Sequence, residues 1–217
     1  LAIRTFPSLK NREDDYSELY IKQFIKYAGI PVVSLESATL HPLQSLTDII
    51  TITESFKEQR KPKIVLTWAP HVKPLPQCVA NSFAQWVNTW GKADFVITHP
   101  EDYELDTQFT KGATIMQNQD EALKDADFIY VKNWSTYTDY GRIYESDPKW
   151  MLTNEKLKIT NNAKVMHCLP VRRNVELSDE ILDGKNSIVT QQAANRVWAA
   201  QAVLSEILSP RSLKGEK

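Results

Sequence analysis

The chain has 217 residues with 26 Lys or Arg against 27 Asp or Glu, a formal charge of −1 that argues against a nucleic-acid protein. This length holds one large or two small domains and buries enough surface to need neither disulfides nor a structural metal. With 42% hydrophobic and 24% charged residues the composition is that of a globular chain, and no apolar run approaches the ~18 residues of a membrane span.

The elements follow in a steady rhythm. Residues 1–6 read as a strand that starts on Leu1 without Met or a signal-peptide pattern, so the natural protein is expected to begin upstream or to have lost its N-terminal part. Residues 16–28 have helical spacing, residues 30–34 form a short apolar run, and residues 44–56 return to helix. The unbroken β-branched stretch at residues 63–69 predicts a buried strand, followed by a helix over 77–90. Residues 93–98, 126–131, 164–168 and 187–190 repeat the strand pattern. A last helix over 193–208 carries Ala194, Val197, Trp198, Gln201 and Leu204 at three-to-four spacing. Such alternation implies an α/β fold: a Rossmann-like parallel sheet flanked by helices, with the tail of a second similar lobe at the N-terminus. The expected division is residues 1–43 as the end of one lobe, 44–192 as a complete second lobe, and 193–217 as a helix returning toward the first.

Several chemistries are missing. No Gly-x-Gly-x-x-Gly or Walker loop occurs, and six glycines leave little room for one, which disfavours a nucleotide-dependent dehydrogenase. The four histidines, His41, His71, His99 and His167, are scattered and predict no metal site. Cys168 follows His167, but neighbours on a strand face opposite ways, so a thiol nucleophile is not expected. Two cysteines form no framework and fit a reducing, cytoplasmic compartment.

What remains lies where strands end, the place at which open α/β sheets bind ligands. These segments are Ser34-Leu35-Glu36, His41-Pro42-Leu43-Gln44, the Pro-rich stretch from Trp68 to Pro76, Lys132-Asn133-Trp134, and His167-Cys168-Leu169-Pro170-Val171-Arg172-Arg173-Asn174, with Asn195-Arg196 in the first turn of the last helix. The groups are cationic or amide-bearing. They suit an anionic substrate and a developing oxyanion better than they suit a nucleophile. Taken singly each has a plainer reading: His41 as a turn histidine, Glu36 as a cap, Arg172-Arg173 as a solvated pair, Arg196 as a surface ion-pair partner. Trp68, Trp86, Trp90 and Trp198 read as core or interface.

Together the motifs His41-Pro42-Leu43-Gln44, His167-Cys168-Leu169-Pro170 and Asn195-Arg196 resemble the carbamoyltransferase family over essentially the whole chain. Val171-Arg172-Arg173-Asn174, Lys132-Asn133-Trp134 and the Trp68–Pro76 stretch resemble its N-acylornithine branch. The Asp and Ser-Met-Gly loop of plain ornithine enzymes is missing, and aspartate enzymes normally lack the cysteine at 168. The resemblance implies transfer of a carbamoyl group from carbamoyl phosphate to the δ-amine of an N-acylornithine, N-succinyl favoured over N-acetyl, in arginine biosynthesis, by a homotrimer and with no cofactor. It makes residues 1–43 part of the carbamoyl phosphate lobe and 44–192 the acylornithine lobe.

By the same resemblance His41 and Arg196 are the catalytic donors to the carbamoyl oxygen. Arg4, Gln44 and the carbonyls of Cys168 and Leu169 complete the carbamoyl phosphate site, the carbonyls aimed by a cis Leu169–Pro170 bond. Glu36, His71, Lys132 and Arg172 surround the acylornithine. Acylation makes the α-amine a neutral amide, which removes the need for an acidic loop and leaves Lys132 and Arg172 for carboxylates. Glu176 stands where some acetylornithine enzymes carry a modified, anionic lysine. The family's Ser-x-Arg-Thr-Arg phosphate motif is absent, so the segment alone is expected to be inactive. The rival readings are an ornithine carbamoyltransferase and a non-catalytic remnant that binds a carboxylated metabolite.

Overall fold

The computed structural model describes residues 1–209. Two parallel sheets organise it. The smaller pairs β1 (Ala2–Arg4) with β2 (Val33–Glu36). Between them lie α1 (Arg12–Tyr16) and α2 (Leu19–Tyr27). α3 (Pro42–Ser55) then leads into the larger sheet, with Pro42 in its first turn, where a missing N–H costs nothing.

The larger sheet has the order β5-β4-β3-β6-β7, all parallel. Its strands are β3 (Lys63–Trp68), β4 (Asp94–Thr98), β5 (Thr114–Met116), β6 (Phe128–Lys132) and β7 (Lys164–Met166). α4 (Cys78–Trp90) crosses from β3 to β4, and the short α5 (Thr107–Thr110) and α6 (Gln119–Leu123) flank β5. A 3-10 turn (Pro148–Trp150) and α7 (Asn154–Leu157) precede β7, and α8 (Asp179–Leu182) and α9 (Val189–Leu208) follow it. β3 is central because it is apolar on both faces. Ile64, Leu66 and Trp68 pack under α3 and α4 with Phe83, Phe128 and Tyr130, and Val65 packs on the other face with Ile129, Val165 and Leu177. The chain leaves β3 toward β4 and returns on its other side as β6. The strand order therefore reverses between β3 and β6, and a crevice opens beyond their carboxyl ends.

The α/β class and the parallel sheet match the sequence reading, with differences in detail. The helix read at 16–28 is broken at Glu18, whose backbone is left-handed (φ 55°). Its carboxylate compensates by accepting from Ser37 Oγ, Thr39 N and Thr39 Oγ1, which ties this turn to the loop before His41. Glu36 is the last residue of β2 rather than a residue beyond it.

β5 went unread, because three partly exposed residues give too short a pattern. Residues 187–190 are not a strand: Ser187 makes one parallel bridge to Val165 and the chain enters α9 at Val189. Asn195 and Arg196 thus lie beyond the first turn of α9. Its apolar spacing also misleads, since Val197, Trp198 and Leu204 are exposed while Gln192, Asn195 and Ala199 face α3. Hydrogen bonds decide that face: Gln192 to Asp48, and Asn195 to Thr51 and Glu54. Residues 210–217 of the expected C-terminal helix lie outside the described residues. Among the described residues no helix is long and apolar enough to cross a membrane.

Candidate active site

A cavity of about 870 Å³ opens at the crevice, between the small sheet, the start of α3, the carboxyl ends of β3 and β6, the loop after β7, and α9. Arg4, Glu36, His41, Gln44, His71, Lys132, Cys168, Leu169, Arg172 and Arg196 all line it. The cavity thus brings together the ten residues that the resemblance assigns to the two substrate sites, while Glu176 lies outside it. Its charged lining is Arg4, Lys73, Lys132, Arg172 and Arg196 against the single carboxylate of Glu36, an electropositive basin for an anionic ligand.

At one end α3 and α9 meet. The guanidinium of Arg196 donates from Nε to Gln44 Oε1 at 2.9 Å and from Nη2 to the Cys168 carbonyl. That carbonyl precedes Leu169, which is left-handed (φ 52°) and joined to Pro170 by a cis peptide bond. His41 sits at the N-cap of α3, its Nε2 3.8 Å from Glu36 Oε2. Glu36 also receives Arg4 Nη1 at 3.2 Å and the Cys78 thiol at 3.3 Å. The His41 pKa is lowered: burial disfavours the imidazolium, Arg4 and Arg196 act the same way, and Glu36 opposes them. A neutral imidazole beside fixed guanidinium groups can donate one hydrogen bond without adding a charge.

At the other end Lys132, buried at the last position of β6, donates to the Asn133 carbonyl at 3.1 Å. Arg172 Nε lies 3.3 Å from His71 Nε2, joining the β3 and β7 loops. Glu176 does not line the cavity. It is buried behind this end, with Oε2 accepting the Arg172 N–H at 2.9 Å and Oε1 3.3 Å from His167 Nε2. Because His167 Nδ1 accepts from Leu169 N at 2.9 Å, the ring carries its proton on Nε2 and donates it to Glu176. Burial holds His167 neutral against the pull of Glu176; burial also opposes ionisation of Glu176, but His167, Lys132 and the Arg172 N–H together outweigh it and lower its pKa.

Three contributors escaped the sequence reading: Asp48, Lys73 and Cys78. Lys73 lies in the Pro-rich stretch with no spacing to mark it. Asp48 had a usable signal, standing four residues after Gln44 on the same face of a helix. Its side chain is fully buried, and burial pushes its pKa up to about 7.

The buried histidines carry a pH signature. His41, His99 and His167 are held below the usual value of about 6.5, chiefly by burial, so below that pH the unfolded chain binds protons that the folded chain refuses. Stability contributed by each is complete above about 6.5 and declines as pH falls toward its folded pKa. Asp48, raised to about 7, acts in the opposite sense but is one group against three. Thermal melts from pH 7.5 to 5.0 are expected to show a falling midpoint, and replacing His99 by Asn is expected to flatten the slope. A midpoint that rises on acidification contradicts this.

The profile described as "Aspartate/ornithine carbamoyltransferase, Asp/Orn binding domain" matches residues 77–207. N-succinylornithine carbamoyltransferase of Bacteroides fragilis is 50% identical over 210 residues, covering 96% of this chain and 65% of that protein. N-acetylornithine carbamoyltransferase of Xylella fastidiosa is 32% identical, covering 96% of this chain and 68% of its own length. A crystal structure of an N-acetyl-L-ornithine transcarbamylase mutant complexed with carbamyl phosphate and N-succinyl-L-norvaline superposes with a TM-score of 0.84 at 29% identity, over 95% of this chain and 68% of that one. The chain thus spans just under two thirds of the length of the Bacteroides relative. On the profile match over residues 77–207, the chain belongs to the aspartate/ornithine carbamoyltransferase family.

Proposed function

We propose that this chain is part of a carbamoyltransferase that moves the carbamoyl group of carbamoyl phosphate to the δ-amine of an N-acylornithine, N-succinylornithine preferred over N-acetylornithine. The observation that carries the reading is the convergence of Arg196, Gln44, the Cys168 carbonyl and His41 at one end of a cavity whose other end holds Lys132, Arg172 and His71. The 50% identity to a succinylornithine enzyme supports the acyl preference.

In the proposed reaction the δ-nitrogen lone pair attacks the carbamoyl carbon, and the carbonyl π electrons move onto oxygen. Arg196 and His41 donate to that oxygen as its charge grows. Gln44 and the carbonyls of Cys168 and Leu169 accept from the carbamoyl NH₂, and Arg4 assists at the phosphate. Collapse of the intermediate breaks the C–O bond to phosphate, and the amine proton leaves with a phosphate oxygen, giving N-acylcitrulline and phosphate. Positioning and charge do the work, with no covalent enzyme intermediate. Lys132 and Arg172 take the carboxylates of the acceptor, and Glu36 and His71 complete its surroundings.

We further propose that the enzyme is a cytoplasmic homotrimer of the arginine pathway, that residues 1–43 and 44–192 serve the carbamoyl phosphate and acylornithine lobes, and that the 217-residue segment alone is inactive. The test is a transfer assay on the full-length gene product with N-succinyl-, N-acetyl- and free ornithine side by side. Succinylornithine is expected to give the highest kcat/KM, and free ornithine as preferred acceptor overturns the assignment.

Glu176 supplies a finer check, since its carboxylate holds the Arg172 backbone and the His167 ring from behind. Glu176→Gln removes the charge and one acceptor, at a cost of about 1–2 kcal/mol. KM for the acylornithine should rise roughly five- to thirtyfold, with little change in KM for carbamoyl phosphate. Unchanged acceptor KM removes Glu176 from the account.

A further inference from the structure

We infer that Asp48 is a positioning residue that sets which end of the Gln44 carboxamide faces the cavity, so that Gln44 presents an oxygen acceptor to an N–H donor of the substrate. The inference rests on the carbamoyl-transfer reading and deepens it. A side-chain amide is nearly symmetric in shape and opposite in polarity at its two ends, so the fold must choose between them.

Here the choice is dictated by a relay that starts from a group that cannot turn around. The backbone N–H of His167 donates to Gln192 Oε1 at 2.9 Å. This fixes Gln192 with its nitrogen toward Asp48, where Nε2 donates to Oδ1 at 2.6 Å. Gln44 Nε2 donates to the same oxygen at 2.7 Å, leaving Gln44 Oε1 toward Arg196 Nε at 2.9 Å. Flipping Gln44 sets its oxygen against a carboxylate and its NH₂ against a guanidinium, two repulsions in place of two bonds. A carbonyl oxygen has two lone pairs; Arg196 occupies one, and the other is open to an amide NH₂ in the cavity.

The spacing that builds this is regular: Gln44 and Asp48 are four apart on α3, and Gln192 and Arg196 four apart on α9. One turn of each packed helix supplies the relay. Asp48 is 0% exposed, and its second oxygen has no hydrogen-bond partner although the Tyr130 hydroxyl lies beside it. What the relay needs from position 48 is therefore an acceptor oxygen aimed at Gln44, and the negative charge itself is secondary.

The test compares Asp48→Asn with Asp48→Leu in the full-length protein. Asparagine keeps the acceptor oxygen and loses the charge; leucine keeps the bulk and loses the acceptor. Asp48→Asn is expected to retain transfer within about tenfold. Asp48→Leu should lose about a hundredfold in kcat/KM for carbamoyl phosphate while KM for the acylornithine holds. Equal loss in both variants, or none in leucine, overturns the inference.

A second arm needs neither activity nor a well-folded leucine variant. Gln44→Glu sets two carboxylates together, so it should lower the melting temperature more in the native background than in Asp48→Asn. Equal drops also overturn the inference. If the native protein transfers no carbamoyl group, the proposed reaction fails and the melting arm still decides whether Asp48 orients residue 44. If it transfers normally and the asparagine variant falls with leucine, the reaction stands and the orienting role does not.

Discussion

Arg196→Ala is expected to raise the barrier for carbamoyl transfer by about 2–4 kcal/mol, roughly thirty- to a thousandfold in kcat, the range found when one oxyanion donor is removed. The geometry concentrates this effect. The guanidinium holds the Gln44 oxygen with Nε and the Cys168 carbonyl with Nη2, so its loss removes a cation and releases two neighbours that line the same end of the cavity. Gln44→Ala should fall in the same range. Arg196→Lys is expected to recover little, because an ammonium carries the charge but not the planar fork that spans two acceptors. The residue is exposed, so the melting temperature should scarcely move. A kcat within threefold of the native value would remove Arg196 from the proposed site.

Asp127→Ala should give the largest loss of stability and leave the site intact. This residue stands just before β6, at the end of the sheet opposite the cavity, and its side chain is almost fully buried. Its two oxygens accept four bonds: Arg60 Nη1 at 2.7 Å, Arg60 Nη2 at 2.6 Å, Lys63 N at 2.8 Å and Asn161 Nδ2 at 2.8 Å. The carboxylate thereby ties the start of β3 to the turn before β7. Removing it strands a strand-end N–H and releases a bidentate arginine, about 2–4 kcal/mol in all. For a chain of this size that is roughly a 5–15 °C drop in midpoint.

The pH dependence has a definite sign. Burial opposes ionisation of Asp127, but the bonds from Arg60, the Lys63 N–H and Asn161 outweigh it and hold its pKa below the usual value. A depressed carboxyl pKa stabilises above the unfolded value of about 3.9 and is lost as pH falls through the folded one. The gap between native and variant should accordingly be full at pH 6 and close below pH 4. A gap that persists undiminished at pH 3 excludes the carboxylate as its source.

Much of this was legible in the sequence because its signals are local. The long apolar run that became β3 could only be a strand buried on both faces, and the segments at strand ends could only gather where the sheet's carboxyl edge gathers them. The misses share a cause: contacts across the chain overrule local spacing. α9 shows a clean apolar stripe, yet it turns Gln192 and Asn195 inward because Asp48, Thr51 and Glu54 wait for them. Glu18 breaks a well-spaced helix because its carboxylate caps a loop twenty residues on. Asp48 is marked only by its four-residue spacing from Gln44, and its importance depends on Gln192, 144 positions away.

The contact between Gln44 and Arg196 spans 152 positions of sequence. As a ribosome releases the chain, the half of the pocket held by α3 stays unfinished until α9 has been made. A nascent chain stopped before α9 therefore carries both sheets without the contact that closes this end of the cavity.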